Sequence, residues 1–296
     1  MQLSNNPYFE RKIPNQLKDN WRFFAADKSN ILALSIVILL IFICIFASIL
    51  EPYSPFKQVS ALSIPPFWRS AGSLSHIFGT DNIGRDILSR LIHGTRQTFG
   101  DALIVTFFAS LIGSTIGIIA AFKTGLKSSI ISHLFDSIKS IPFTLIGIVF
   151  VVFFGHGQQQ ILFAIFFSLI PIFIRGTFMP TKKELEANYI CAARLDGAEN
   201  FYLFYHSVLP NILPNFTILT SKSLSQAILG ISTLGFLGLG ATAPACEWGH
   251  LLSDALPLIH SAPWRSVVPC VFITLSIASI NTLGEGIKDM LTKGIE

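Results

Sequence analysis

A run of twenty residues without a charge, residues 31–50, constrains the fold of this chain more than any other feature. Fifteen of these residues are Ile, Leu, Val or Phe. A bilayer core about 30 Å thick is crossed by roughly 20 mostly apolar helical residues, because each backbone polar group must be bonded within the segment. The run ends at Glu51 without the small residues of a cleavage site, so it predicts a retained transmembrane helix.

Five more apolar runs follow the first. They cover residues 99–122, 130–154, 161–178, 216–239 and 267–290. With 51% hydrophobic and 13% charged residues, the chain has the composition of a membrane protein. We expect an all-α protein with six transmembrane helices. Its predicted parts are a tail (1–30), a first helix (31–50), a loop with an amphipathic helix (51–98) and a five-helix core (99–296).

Basic residues in the short loops predict the orientation, because they collect on the cytoplasmic side. Those that follow even-numbered runs are Lys123, Lys127, Arg175, Lys182, Lys183 and Arg194. Loops 155–160 and 241–264 contain no Lys or Arg. Both termini are therefore predicted to be cytoplasmic. Loop 51–98 also carries basic residues, but it is long enough for the rule to be weak there. The net charge of +4 follows from this topology and does not indicate nucleic-acid binding.

Residues 78–92, within the first outer loop, have the pattern of an amphipathic helix. Thr80 or Asp81 is the expected N-cap, and Ile87 and Leu91 belong to one apolar stripe. Two interpretations remain open, a surface that meets an external delivery protein and a packing element at the membrane interface. The candidate residues of this outer face are Asp81, Arg85, Asp86 and Arg90.

The cytoplasmic stretch 179–215 is too long for a plain connector. Small residues at Ala192 and Ala193, a break at Gly197 and a stop at Pro210 predict two short helices. Such a helix–turn–helix is suited to docking into a groove on a soluble partner.

The same stretch resembles the cytoplasmic coupling loop of ABC importer permeases. That pattern is Glu-Ala-Ala, three residues, Gly, nine residues, Ile-x-Leu-Pro. The matching positions are Cys191, Ala192, Ala193, Gly197, Leu209 and Pro210. Cys191 stands where the family usually has Glu, and Ser207 where it usually has Ile.

Two further stretches, 79–90 and 234–249, resemble signatures of the dipeptide and oligopeptide permeases, specifically their C-type membrane subunit and most of all its Sap-type members. The resemblance implies a type I ABC importer bundle in the bacterial inner membrane with a periplasmic loop after helix 1. It further implies a non-catalytic subunit that imports peptides, including antimicrobial peptides. The implied partners are a homologous second permease subunit, two cytoplasmic ATPases and a periplasmic substrate-binding protein. Polyamine or haem is the alternative cargo.

Lys222, together with Ser225 and Gln226, lies inside the fifth run. An ionisable side chain at that depth either lines the translocation path or snorkels to the inner interface. In the second run, Gly113 and Gly117 are spaced for close helix contact, which we expect to serve packing inside the bundle more than dimerisation.

The sequence weighs against other classes of protein. It has no Gly-x-x-x-x-Gly-Lys-Ser/Thr run, so the energy of ATP has to come from a separate subunit. An ion-coupled secondary transporter would show carboxylates deep in the membrane, and a membrane enzyme would show a metal or nucleophile motif. His133 and Asp136 are three residues apart, but without a second such pair we expect no metal site and no cofactor on this chain. The four cysteines show no pairing pattern.

Overall fold

The computed structural model describes residues 16–58, 62–123, 142–241 and 244–293, with backbone only for residues 16–19 and 143. This part of the chain is helical, as the hydrophobic runs predict. Its α-helices are α1 (Gln16–Ala26), α2 (Lys28–Leu50), α3 (Ile87–Thr95), α4 (Asp101–Phe122), α5 (Phe143–Phe154), α6 (Gln158–Leu185), α7 (Asn188–Leu195), α8 (Asn200–Leu203), α9 (Leu209–Phe236), α10 (Trp248–Ala255) and α11 (Trp264–Lys293). Following the predicted topology, the end of the bundle that carries α3 and α10 is called the outer end below, and the end that carries α7 and α8 is called the inner end.

Four helical stretches are long and apolar enough to cross a membrane. They are Lys28–Leu50, Ile87–Phe122, Gln158–Leu185 and Trp264–Lys293. Helix α5 is shorter, and residues 130–141 of its predicted span lie outside the described residues. Helix α9 has 28 residues but a more polar composition. The count of six crossings therefore remains a prediction.

Helices α4 and α6 form the most extensive contact in the bundle. Gly113 and Gly117 lie in this contact, where an added methyl group would collide with Phe173 and with Thr177 respectively. The pair is therefore used for close packing within one chain, as expected. Helices α9 and α11 form the second large contact, and α2 packs on α11.

The amphipathic helix predicted for residues 78–92 begins later than expected, and the predicted N-caps Thr80 and Asp81 are wrong. Helix α3 starts at Ile87 with Asp86 as its N-cap. A π-helical turn, Arg96–Gly100, then joins α3 to α4 without a break. The reason for the late start is local, since the Asp81 carboxylate accepts the backbone N–H groups of Ile83 and Arg85 and holds a non-helical turn.

Candidate functional site

The segment between α6 and α9, residues 188–208, is called the coupling segment here. It contains α7, a turn, α8 and a π-helical turn, Phe204–Val208. Gly197 has a φ of 89°, a left-handed conformation that glycine adopts at low cost, and it ends α7 as predicted. The N–H of Ala198 bonds to the carbonyl of Ala193 at 3.0 Å and closes the turn.

Pro210 does not stop the second short helix, and that expectation is wrong. Pro210 is instead the second residue of the 28-residue helix α9. A proline lacks a backbone N–H and its ring crowds the carbonyl four residues back, which breaks a helix interior but is tolerated in the first turn. The wider turn at Phe204–Val208 directly precedes it, so the chain continues into α9 without the clash.

The coupling segment has one buried side and one exposed side. Ile190, Leu203 and Val208 are fully buried in an apolar cluster with the inner ends of α4 and α6. On the other side, Leu195 is 89% exposed and Phe201 73% exposed. Tyr202 and Tyr205 are also more than half exposed. Phe201 and Tyr205 also contact each other through their rings. Large apolar and aromatic side chains exposed on a chain surface are typical of a protein interface.

The predicted coupling residues fall mainly on that exposed side. Cys191, Ala192, Gly197 and Pro210 are exposed, while Ala193 and Leu209 are half-buried. A shallow, open surface depression in the same segment is lined by Arg194, Ala198, Glu199, Asn200 and Phe201. The four exposed apolar and aromatic residues were missed in the sequence. They could have been predicted, because large apolar side chains in a polar cytoplasmic loop that do not continue the apolar stripe of a helix are expected to be exposed.

At the outer end, the predicted face residues lie inside the protein. Asp81, Arg85, Asp86 and Arg90 are each at most 7% exposed. Asp81 Oδ2 accepts hydrogen bonds from Arg85 Nε at 2.6 Å and from Arg90 Nη1 at 2.9 Å. Asp86 is paired with His76 Nδ1 at 2.9 Å. This burial favours the packing interpretation over a surface that meets a delivery protein.

The partners that complete this outer network come from the far end of the sequence. Arg90 Nη2 donates to the Ala245 carbonyl at 2.8 Å and to Asp254 Oδ2 at 3.0 Å. Arg265 donates to the Thr80 carbonyl at 2.5 Å. Burial alone would raise the pKa of Asp81, but hydrogen bonds from Arg85 and Ile83 and the charge of Arg90 outweigh it and lower that pKa. Asp81 is therefore a stable anion that holds Arg85 and Arg90, and Arg90 in turn bonds to Asp254 on α10.

The structure places the three candidate path residues in different environments. Lys222 is exposed on α9, and Gln226, one turn further, is half-buried on the same side. Ser225 is 7% exposed, and its hydroxyl donates to Asn281 Oδ1 on α11 at 3.0 Å. Ser225 thus fixes the contact between the two helices, and Lys222 and Gln226 remain the candidates for a path. His133 and Asp136 lie outside the described residues.

Family models cover most of the chain. Residues 15–66 match the N-terminal TM domain of oligopeptide transport permease C. Residues 113–296 match the binding-protein-dependent transport system inner membrane component. The chain belongs to this family. It is a permease subunit of a binding-protein-dependent ABC importer, which confirms the family resemblance found in the coupling loop.

Curated relatives match this permease over nearly its whole length. The peptide transport system permease protein SapC of Escherichia coli O6:H1 is 38% identical over 290 residues, which cover 98% of both chains. The di/tripeptide transport system permease protein DppC of Pseudomonas aeruginosa is 35% identical over 279 residues, 94% of this chain and 92% of the relative. The C-type assignment is thereby confirmed.

The fold of the permease also matches a solved structure. A chain of the MetNI methionine ABC transporter, in an inward-facing conformation, aligns with a TM-score of 0.59 at 17% identity, over 69% of this chain and 97% of that chain. At this identity the match shows the fold alone. The fold is that of a type I ABC importer permease, as the sequence resemblance implies.

Proposed function

We propose that the chain carries peptides across the bacterial inner membrane and that a separate ATPase drives it through the coupling segment. Both relatives compared above are named for peptide transport. The observation that carries the coupling part is the exposed side of residues 188–208, with Leu195 and Phe201 uncovered in the single chain. A buried side anchored to the bundle and an exposed apolar side are what a transmitting element needs.

The mechanism follows from these two sides. An ATPase that closes on ATP grips Leu195, Phe201 and the small residues at Ala192 and Ala193. The force passes through Ile190, Leu203 and Val208 into the inner ends of α4 and α6, which they contact. Helix α9 begins directly after the coupling segment and runs to the outer end, so a shift of the segment tilts α9 as a rigid rod. ATP binding and release then bias two access states.

The proposed assembly contains a homologous second permease subunit, two cytoplasmic ATPases and a periplasmic substrate-binding protein, with both termini of this chain in the cytoplasm. The uncovered side of α9 that carries Lys222 and Gln226 is the candidate lining of the path. A lysine there is costly in lipid, so a water-filled path between two permease subunits is the environment that stabilises its charge.

The test replaces Leu195 with Asp in the complete transporter. A charge at the centre of an apolar interface is expected to cut ATP-dependent peptide uptake at least about tenfold, because a hot-spot residue contributes about 2 kcal/mol or more. Leu62→Asp is the matched control, since Leu62 is 61% exposed on loop 51–86, away from the coupling segment. Uptake of labelled di- and tripeptides is measured in vesicles beside uptake of a polyamine and of haem.

Three results would contradict the proposal. Peptide uptake that continues with catalytically dead ATPases would contradict the proposed coupling mechanism. Uptake of polyamine or haem without peptide uptake would contradict the assignment of peptides as the cargo. Wild-type uptake by Leu195→Asp, with Leu62→Asp also normal, would place the ATPase contact elsewhere on the chain.

A further inference from the structure

A small cavity at the outer end lies where the turn before α3, helix α10 and the start of α11 meet. Its volume is about 20 Å³, and its apolar walls are Ile87, Leu251, Ala255 and Pro269. A single water-sized particle needs roughly 10–15 Å³, so the cavity holds one particle of water or halide size and is too small for phosphate, sulfate or a carboxylate.

The two carboxylates at this cavity, Asp81 and Asp254, are already balanced by two arginines. Asp81 Oδ2 accepts hydrogen bonds from Arg85 Nε and Arg90 Nη1, and Asp81 Oδ1 accepts the backbone N–H groups of Ile83 and Arg85. Asp254 Oδ2 lies 3.0 Å from Arg90 Nη2 and 3.6 Å from Arg85 Nη2. Two negative and two positive charges therefore cancel within this part of the network.

Arg265 is a third arginine, and it brings a positive charge that these pairs do not balance. It lines the cavity and is 6% exposed. Its guanidinium donates one hydrogen bond to the carbonyl of Thr80, which is a neutral group, and its Nε–H has no hydrogen-bond partner among the described residues. Arg265 is also the second residue of α11, where the helix dipole adds further positive potential.

The remaining titratable groups of the outer network do not supply the missing negative charge. Asp86 does not line the cavity, and its oxygens accept hydrogen bonds from Ser89 and pair with His76. His250 lies 3.6 Å from Asp254 Oδ1, and burial lowers the pKa of this histidine, which favours its neutral form. Three arginines against two aspartates leave one positive charge at the cavity.

We propose that this cavity is a binding site for one halide-sized monovalent anion, chloride in the periplasm, which accepts the Nε–H of Arg265. A buried charge without a counter-ion costs several kcal/mol, and a chloride ion balances it, whereas a water molecule of similar size does not. The apolar walls agree with this choice, because a buried water needs two to four polar partners. Asn82, which also lines the cavity, is exposed, so the site is open to ions from the solvent.

The bound anion would hold three parts of the outer end together. Arg265 belongs to α11, its other partner Thr80 to the turn before α3, and the walls Leu251 and Ala255 to α10. Chloride is therefore expected to stabilise this end of the bundle and to leave the inner end unchanged. This inference goes beyond the transport function proposed above and does not depend on it.

The test measures amide hydrogen exchange in the complete purified transporter, in potassium chloride and in potassium gluconate at the same ionic strength. Gluconate is too large for the cavity, and equal ionic strength removes any difference in screening. Exchange in residues 248–255 and in the first turns of α11 is expected to slow at least about threefold in chloride and to level off as chloride is raised. Bromide should act as chloride does, and residues 188–208 serve as the internal control.

Arg265→Gln removes the unbalanced charge, and its exchange is expected to be the same in the two salts. Arg69→Gln is the matched control, because Arg69 is exposed and stacks over the neighbouring Trp264, so this variant should keep the chloride effect. Equal exchange of the wild type in the two salts would overturn the proposal. An equal slowing at residues 188–208, or a chloride effect that survives in Arg265→Gln, would also overturn it.

If Arg265→Gln does not assemble, the wild-type transporter is crystallised in bromide and the ion is located by its anomalous scattering. A bromide peak beside Arg265 Nε supports the proposal, and a cavity that holds water alone contradicts it. Since neither measurement contains a transport step, failure of peptide uptake leaves both outcomes intact.

Discussion

At the outer end of the bundle, Arg90 is 2% exposed and bonds to Asp81, Asp254 and the Ala245 carbonyl. At the inner end, the coupling segment is held by apolar side chains such as Ile190 and leaves Leu195 89% exposed. The outer network thus pairs Arg90 with Asp81 and Asp254 within the chain, whereas the inner end leaves an apolar side exposed. Bonded charges fix one arrangement, and an uncovered apolar side is suited to a partner that binds and moves.

The largest effect is expected from Arg90→Ala, which tests whether the outer network is really internal. It leaves Asp81 with one arginine fewer and the Ala245 carbonyl without its donor. Removing one member of a buried ion pair costs about 3–5 kcal/mol, so the free energy of unfolding in detergent should fall by that amount. Arg69→Ala is the control, because Arg69 is exposed and stacks over Trp264. Equal losses of unfolding free energy in Arg90→Ala and Arg69→Ala would contradict the view that buried charge pairs stabilise the outer end.

A second variant pair examines the two sides of the inner end. Ile190→Ala empties a fully buried site and is expected to cost about 2–5 kcal/mol, seen as faster amide hydrogen exchange across residues 188–208. Leu195→Ala, five residues away on the exposed side, should change stability by less than about 0.5 kcal/mol. If both variants loosen the segment alike, its exposed side is not free.

The smallest effects are expected from replacing one glycine at each end of the bundle. Gly249→Ala at the outer end would bring a methyl group against the Ser232 carbonyl, and overpacking costs about 1–3 kcal/mol. Gly197→Ala at the inner end has open space but a φ of 89°, which costs about 1 kcal/mol. Thermal unfolding measures both. Gly197→Asn should recover part of the loss, because Asn tolerates this backbone conformation, and no recovery would exclude the backbone explanation.

Much of the fold could be predicted from the sequence, for reasons that are local. A membrane span depends on the length and composition of one segment, so α2 and α11 were found to within three residues at each end. Helix α6 was found too, but it continues seven residues beyond its predicted end, into the predicted loop 179–215. The helix break at Gly197 was predicted correctly because the motif is a spacing along the chain that requires a turn at this position. Errors appeared where a side chain or a wider turn replaced the regular helix, as at Asp81 and Pro210.

By itself the sequence determined the membrane class, the family and the turn at Gly197, because each of these depends on residues within a short stretch. Tertiary structure alone decided that Arg90 pairs with Asp254, 164 residues away, and that Ser225 turns toward α11 while Lys222 stays uncovered. It also placed Glu247 between Gly235 and Gly240. Such contacts depend on which helices pack side by side, and a buried charge is stabilised only when distant partners arrive together.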